Sequence, residues 1–396
     1  RMPSAIALIA MTVIGFMFFG RRKGVAVALL GAFITLTNFE LHRAGVNCRV
    51  DMVLTALTVI SLYGFFRWHE KCLKGIPWVA IICMSLGTLT KGPVGILVPC
   101  LVMGIFLLLR GVNFFKAFFL LFLTGLASFV LPALWYYAAY RQGGQAFLDL
   151  MLEENVGRMT NTMSYDSCVN PWYYNFITLI AGYVPWVLLA VMSLFTLKYS
   201  KISSRPAAWW KQFKAKIAAM DALDLFALTA IVVVFVFYCF PQSKRSVYLM
   251  PIYPFIAYFF ARYVFYLTEK HIKVVKLYGS ILAIVSLLLF AAFLVVKSGL
   301  IPDTIFHGRH AADNIAFMRG IQNIGSWAWI LILVPTVTGV YWWFYSRRPS
   351  ARLLPYALVV LTMALYLALD GAYQPAVLNT KSDKGTAAEI ARLLPP

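Results

Sequence analysis

Between Phe118 and Trp135 the chain carries no charged side chain. A transmembrane β-strand needs only about 9–11 alternating residues, so a run this long and uniform is not a barrel strand. Lipid offers the backbone no hydrogen-bond partner, which leaves helices as the remaining way across. The run recurs. About twelve apolar stretches meet the roughly 20-residue criterion for a span, some of them short. They lie near 3–20, 25–40, 52–67, 76–90, 93–110, 116–139, 175–197, 223–240, 251–267, 275–297, 326–346 and 352–370. Composition agrees: 61% of residues are hydrophobic and 13% charged, and mean hydropathy is +0.78. Soluble domains are about a quarter charged. The expected fold class is an all-α polytopic membrane protein with about 12 transmembrane helices.

The net charge of +20 does not point to nucleic acid, because the cations are dispersed at the ends of apolar runs. Membrane topology accounts for them. If 21–24 is cytoplasmic, alternation puts 67–75, 110–116, 198–222, 268–276 and 347–352 there too. That side then holds about 20 Lys/Arg against about 4 Asp/Glu, and the other about 14 against about 11; Arg262 stays inside a span. The mixed-charge segments all fall on the second side, which is read as the outer face of the membrane. Met2–Gly20 lacks a small-residue cleavage signature and precedes Arg21, Arg22 and Lys23, so it reads as a span rather than a signal peptide. The chain starts at Arg1 inside an apolar run and stops at Pro396 in a polar one, so a longer protein is expected on both sides. Residues 1–370 read as the membrane domain, and 371–396 as the start of a polar segment on the outer side. The loop 201–222 reads as an amphipathic helix on the inner leaflet, with Trp209, Trp210, Phe213 and Ile217 among lysines. Cys48 and Cys168 both fall outside, which leaves a disulfide between them open.

Polar side chains in so oily a chain mark the places for chemistry. The longest interruption of both signs, 141–175, gathers Asp149, Glu153, Glu154, Asn155, Arg158 and Asp166 before the aromatic Trp172, Tyr173 and Tyr174. Leu148–Val156 reads as a helical turn or two that ends in the two glutamates. Arg158 beside it offers a planar fork suited to phosphate, unless these are solvated loop charges. In the 40–51 stretch ELHRAGVNCRVD, Asp51 sits at the mouth of a span; it is either paired with Arg49 or Arg43, or it lines a polar cavity. Lys91 lies between two apolar runs beside the helix-breaking Gly92-Pro93. It either snorkels or serves a ligand. Lys244 and Arg245 stand against the positive-inside trend, with Tyr248 and Tyr253 following, and adjacent cations with a tyrosine hydroxyl suit a phosphate or pyrophosphate. His307 and His310 form a His-x-x-His pair near Asp303 and Asp313, a weak metal signal.

These segments, in this order, resemble the GT-C glycosyltransferases that use polyprenyl-phosphate sugars, most of all the bacterial aminoarabinose (lipid A) transferases, relatives of the protein O-mannosyltransferases. The resemblance rests on Arg49-Val50-Asp51-Met52, Leu89-Thr90-Lys91-Gly92-Pro93 and Glu153-Glu154-Asn155-Val156-Gly157-Arg158. It continues through Pro171-Trp172-Tyr173-Tyr174, Pro185-Trp186, and Ser243-Lys244-Arg245 with Tyr248-Leu249-Met250-Pro251. It implies a GT-C bundle whose outer loops form the active site, and inverting transfer of a sugar from a polyprenyl-phosphate donor to a lipid A-like or protein acceptor. It places Arg158 and Tyr248 on the carrier phosphate, with Lys91 and Asp51 near the cavity, and Glu154 and Asn155 within a shared motif. The general base is expected upstream of residue 1. No cofactor is expected; the chemistry implied is metal-independent, with a divalent metal left open. Where relatives often carry a His before the PWYY motif, this chain has Tyr165-Asp166-Ser167-Cys168. A transporter or flippase of a lipid-linked or anionic substrate is the alternative reading, since intramembrane charges also mark pathways.

Overall fold

The computed structural model describes residues 1–157, 169–196, 212, 215–217, 219–241, 243–348, 353–380 and 384–393. Arg158, Asp166, Cys168 and most of the 201–222 loop lie outside them, as does the side chain of Asn155. The chain divides into two compact units, Arg1–Tyr263 and Val264–Pro396.

The first unit contains α1 (Met2–Lys23), α2 (Val25–Leu36), α3 (Phe39–Val46), α4 (Val50–Glu70), α5 (Trp78–Lys91), α6 (Val94–Leu109) and α7 (Phe114–Leu152). A π-helical turn, Glu153–Gly157, follows, then α8 (Tyr174–Gly182), α9 (Trp186–Leu194), α10 (Ala222–Phe237) and a 3-10 turn, Ser246–Ile252. The unit boundary falls inside α11 (Tyr253–Lys270). Helix α4 is the hub, packed against α1, α5, α6 and the 3-10 turn. Aromatic side chains fill the space around it: Phe18 stacks on Tyr63 at 4.3 Å and Phe19 on Tyr258 at 4.6 Å, while Phe66 meets Phe226 at 5.1 Å. The outward face of α7 is the reverse, with Phe115, Phe118, Phe119 and Phe122 exposed. So continuous an apolar face is a liability in water and the natural surface of a helix in lipid.

Two of the expected spans are broken. Helices α2 and α3 bend by 63°, and α8 and α9 by 106°. The breaks are knitted together. The Phe39 amide donates to the Val184 carbonyl at 2.9 Å, and Trp186 Nε1 donates to Thr37 Oγ1 at 2.9 Å. Asn38 caps α3 by accepting from the Leu41 amide at 3.0 Å, which supplies a partner for an otherwise orphan N–H. Helix α7 breaks at Gly144, where φ is 56° and ψ −145°. A left-handed backbone costs glycine nothing, and beyond it the chain runs on as a short helix into the Glu153–Gly157 turn.

The second unit contains α12 (Ile272–Lys297), a 3-10 turn at Asp303–Ile305, α13 (Ala311–Gln322), α14 (Trp327–Tyr345) and α15 (Leu354–Ala368). A π-helical turn, Leu369–Tyr373, then leads to α16 (Gln374–Thr380) and α17 (Lys384–Leu393). Its core gathers Phe293, Ile321, Ala328, Ile332, Ala368 and Ala372. Ala372 and Ala376 of the stretch after residue 370 are part of that packing. Among the described residues, seven helices are long and apolar enough to cross a membrane, or up to nine if each bent pair is one span. Helices α5, α6 and α10 are shorter apolar segments. All twelve apolar stretches are helical, but twelve full crossings are not what the lengths give, because two stretches bend and three fall short. The protein is a multi-pass, all-helical membrane protein.

Candidate functional site

The start of α4 and the end of α5 meet at one end of the first unit. Ser4 of α1 pins the start of α4: its hydroxyl donates to the Arg49 carbonyl at 3.0 Å and accepts from the Arg49 amide at 3.1 Å. Asp51 therefore lies in the first turn of α4, where the helix dipole favours an anion. Lys91 lies in the last turn of α5, where the dipole favours a cation, each effect being worth about 0.3–1 kcal/mol. Gly92 ends α5 with a φ of 85°, and Pro93 starts the return into α6. The reversal is tight. A Cβ added at Gly95 would collide with the Thr88 amide nitrogen and the Gly87 carbonyl.

Lys91 Nζ is bonded to Asp51 Oδ1 and sits 4.5 Å from the centre of the Tyr248 ring. A cation over an aromatic face is held by the ring quadrupole. Tyr238 packs beside Tyr248 at 5.4 Å. The Asp51 pairing corrects the expectation of an ion pair with Arg49 or Arg43. Arg43 is taken by Glu40, with both carboxylate oxygens within 2.9 Å of its Nη2.

Tyr248 is positioned by a chain of buried contacts. It lies on the 3-10 turn, and Ser246 of that turn donates to Glu40 Oε1 at 2.9 Å. Glu40 is 3% exposed, so the Ser246 hydrogen bond that anchors the turn to α3 is made to a carboxylate largely shielded from solvent. Asn175, in the PWYYN stretch, donates through Nδ2 to the Tyr238 carbonyl at 2.8 Å and fixes the end of α10. These are the residues that sequence reasoning missed. Glu40 and Ser246 are 206 positions apart, and nothing local pairs them. An acidic side chain at a bend between apolar runs was the one available signal.

The walls enclose a cavity of about 420 Å³, within the range of roughly 300–1,000 Å³ usual for small-ligand sites. Asp51, Lys91, Glu154, Ser243, Tyr238 and Tyr248 are among its polar lining. Leu54, Val94, Phe237, Val247 and Pro251 are among its apolar walls. Asp51, Lys91, Tyr248 and Glu154 were all singled out in the sequence, and they come together here. Glu154 reaches the cavity on the arm beyond Gly144.

Lys244 and Arg245 do not line it. Lys244 is buried, with Nζ donating to the Asn170 carbonyl at 3.3 Å and its own carbonyl accepting from Asn170 Nδ2 at 2.9 Å. Arg245 is exposed. In the second unit, His307 Nδ1 lies 3.0 Å from the Ile305 carbonyl and His310 Nδ1 lies 3.7 Å from Asp313. Among the described residues, no three His, Cys, Asp or Glu side chains gather to hold a metal.

The sequence matches no family model. It is similar to two uncharacterised proteins of Aquifex aeolicus (strain VF5). One is 25% identical over 252 residues, 63% of this chain and 44% of that protein. The other is 28% identical over 233 residues, 58% of this chain and 45% of that protein. The match thus spans less than half the length of either relative. The fold is shared with ArnT from Cupriavidus metallidurans. The crystal structure bound to undecaprenyl phosphate superposes with a TM-score of 0.69 at 18% identity, and the apo structure with 0.63 at 17%. Each comparison covers the whole of this chain and 66% of the other. The chain therefore shares the fold of ArnT.

Proposed function

We propose that the protein is a GT-C glycosyltransferase that takes a sugar from a polyprenyl-phosphate donor at the periplasmic face of the inner membrane and passes it to a lipid A-like or protein acceptor. One observation carries the reading: a cation, a carboxylate and a tyrosine converge on a cavity at one end of the first unit, in a fold whose ArnT example holds undecaprenyl phosphate. Lys91 is the cation that would meet the carrier phosphate, with Tyr248 beside it and Arg158 a further phosphate ligand by its motif.

In the reaction the bond between the sugar's anomeric carbon and the phosphate oxygen breaks, and the electron pair leaves with the polyprenyl phosphate. Lys91 stabilises that developing charge; fixed cations and donors of this kind are typically worth a factor of about 10²–10³ in rate. The acceptor oxygen bonds to the anomeric carbon from the opposite side, with inversion, and its proton passes to a carboxylate. The Asp51–Lys91 pair holds the two side chains together at the cavity wall until the donor phosphate competes for the ammonium. No metal is assigned a part.

The test is direct. The protein, reconstituted in liposomes with a radiolabelled polyprenyl-phosphate sugar and an envelope-lipid extract, should release free polyprenyl phosphate in step with a labelled glycolipid. Movement of the intact donor between leaflets, with no bond cleaved, would replace this reading with that of a flippase.

A further inference from the structure

About 30 Å separates the two ends of a 21-residue helix at 1.5 Å per residue, and α4 has that length. At the end away from the cavity, two hollows adjoin. One, of about 270 Å³, lies between α1 and α4, with Ile14, Met17, Phe18 and Ile60 along its length and Arg21, Arg22 and Arg67 at its mouth. The other, of about 260 Å³, lies under the α4–α5 turn and adds Lys71, Lys74 and Trp78. Gly64, Arg67 and Val79 line both, so the two are continuous. Gly64 makes this possible, since a Cβ there would crowd the Ala80 amide nitrogen at 3.1 Å and Val79 Cγ1 at 3.2 Å.

The turn that presents the lysines is specifically built. Cys72 and Leu73 take left-handed φ values of 54° and 61°, a conformation that costs a non-glycine residue of order 1 kcal/mol or more. Trp68 Nε1 holds the loop by donating to the Gly75 carbonyl at 2.9 Å. Arg22 is engaged, donating from Nε to Glu70 at 2.7 Å. Glu70 is the one carboxylate that the described residues bring to this cluster. Arg21, Arg67, Lys71 and Lys74 are exposed and have no acidic partner among the described residues. Topology alone would put cations on this side, and Lys116 at the start of α7 is such a residue. It does not account for their convergence on one hollow with an apolar floor and an exposed Trp78, 61% accessible, at its rim.

We infer that this hollow is a binding site for an anionic phospholipid, with the phosphate among Arg67, Lys71 and Lys74 and an acyl chain along the α1–α4 groove. Only an amphiphile satisfies both halves. The cations need a negative headgroup, since basic residues near a membrane surface are drawn to anionic lipid, and Ile14, Met17 and Ile60 need an apolar chain. The site is separate from the proposed transfer site and stands or falls without it.

The test is native mass spectrometry of the full chain, released from nanodiscs that contain equal amounts of phosphatidylglycerol and phosphatidylcholine. The wild type should retain phosphatidylglycerol at least fivefold over phosphatidylcholine. The variant Arg67→Gln/Lys71→Gln/Lys74→Gln should fall to near parity, Arg67→Gln alone should fall part of the way, and Lys116→Gln should keep the full preference. Millimolar inorganic phosphate should displace little of the lipid. Undiminished preference in both the triple and the single variant would overturn the proposal. An equal loss in Lys116→Gln would reduce it to general surface charge, and full displacement by inorganic phosphate would make the ligand a free anion.

Discussion

Two places in the first unit bring together a carboxylate, a cation and a tyrosine, and they are put to opposite use. At one end, Asp51 and Lys91 are bonded, and Tyr248 offers Lys91 the face of its ring. The three line a cavity. At the other end, Asp224 accepts from Arg262 Nη1 at 2.7 Å and from the Tyr258 hydroxyl, and lies 3.3 Å from Lys23. Lys23 also reaches Asp221 at 2.8 Å, and Arg262 donates to the Tyr258 hydroxyl at 3.1 Å. There the donors and acceptors consume one another. At the cavity, among the described residues, the tyrosine hydroxyl is not spent on the carboxylate and the ammonium has one acid rather than two. A saturated cluster ties helices together; an unsaturated one facing a hollow is able to receive an anion. Residue types alone do not separate the two.

Substitutions can break this contrast. The largest effect is expected at Lys91. Lys91→Ala should lower kcat/KM for sugar transfer by 100-fold or more, about 3 kcal/mol of transition-state stabilisation, with the amount of folded protein in the membrane unchanged. Asp224→Asn should do the reverse. It removes the counter-ion of Arg262 and leaves Lys23 with Asp221 alone, and should cost about 1–3 kcal/mol of stability in a thermal or denaturant melt while transfer by the folded fraction stays within twofold. Equal loss of activity in both variants would erase the distinction.

Glu40→Gln sharpens the account from within the cavity end. The half-exposed Arg43 loses its counter-ion and the Ser246 contact to the buried Glu40 weakens, at about 1–2 kcal/mol. Because that contact positions the turn carrying Tyr248, KM for the donor should rise several-fold with kcat little changed, as steady-state assays would show.

The smallest effect belongs to Asp221. The Lys23 ammonium hydrogen-bonded to it holds its carboxyl below the usual carboxylate value. The pair therefore contributes fully above that ordinary value and is lost as pH falls through the lowered one. An exposed pair is worth less than about 1 kcal/mol, so Asp221→Asn should melt slightly earlier than wild type at pH 7. That small gap should close as the pH is taken toward 3.

Asp51, Lys91, Glu154 and Tyr248 were legible in the sequence for a common reason. Each interrupts, or sits at the end of, an apolar run, where a polar group needs a justification, and the Gly92-Pro93 break marks a helix end. Their meeting in one cavity depends on packing that no local pattern encodes. Lys244 shows the limit. Its neighbours read as a phosphate-binding pair, yet the bridge between Val169 and Ser243 turns it toward the Asn170 carbonyl. The broken spans were hidden for a related reason. Hydropathy averages over a bend: Gly182 and Pro185 flank the α8–α9 break, where a proline cannot continue a helix, but the partners that hold it lie on α3 and just before it. Asp51 itself could be assigned a cation only by position, and the nearer arginines in sequence were the wrong ones.

The central claim is that the Asp51–Lys91–Tyr248 wall receives an anionic lipid carrier, and a cryo-electron microscopy structure of the full chain with undecaprenyl phosphate tests it most directly. The account predicts the phosphate within hydrogen-bonding distance of Lys91 Nζ, beside Tyr248 in the 420 Å³ cavity. A phosphate bound elsewhere, with the Lys91–Asp51 pair undisturbed and the cavity empty, would contradict it.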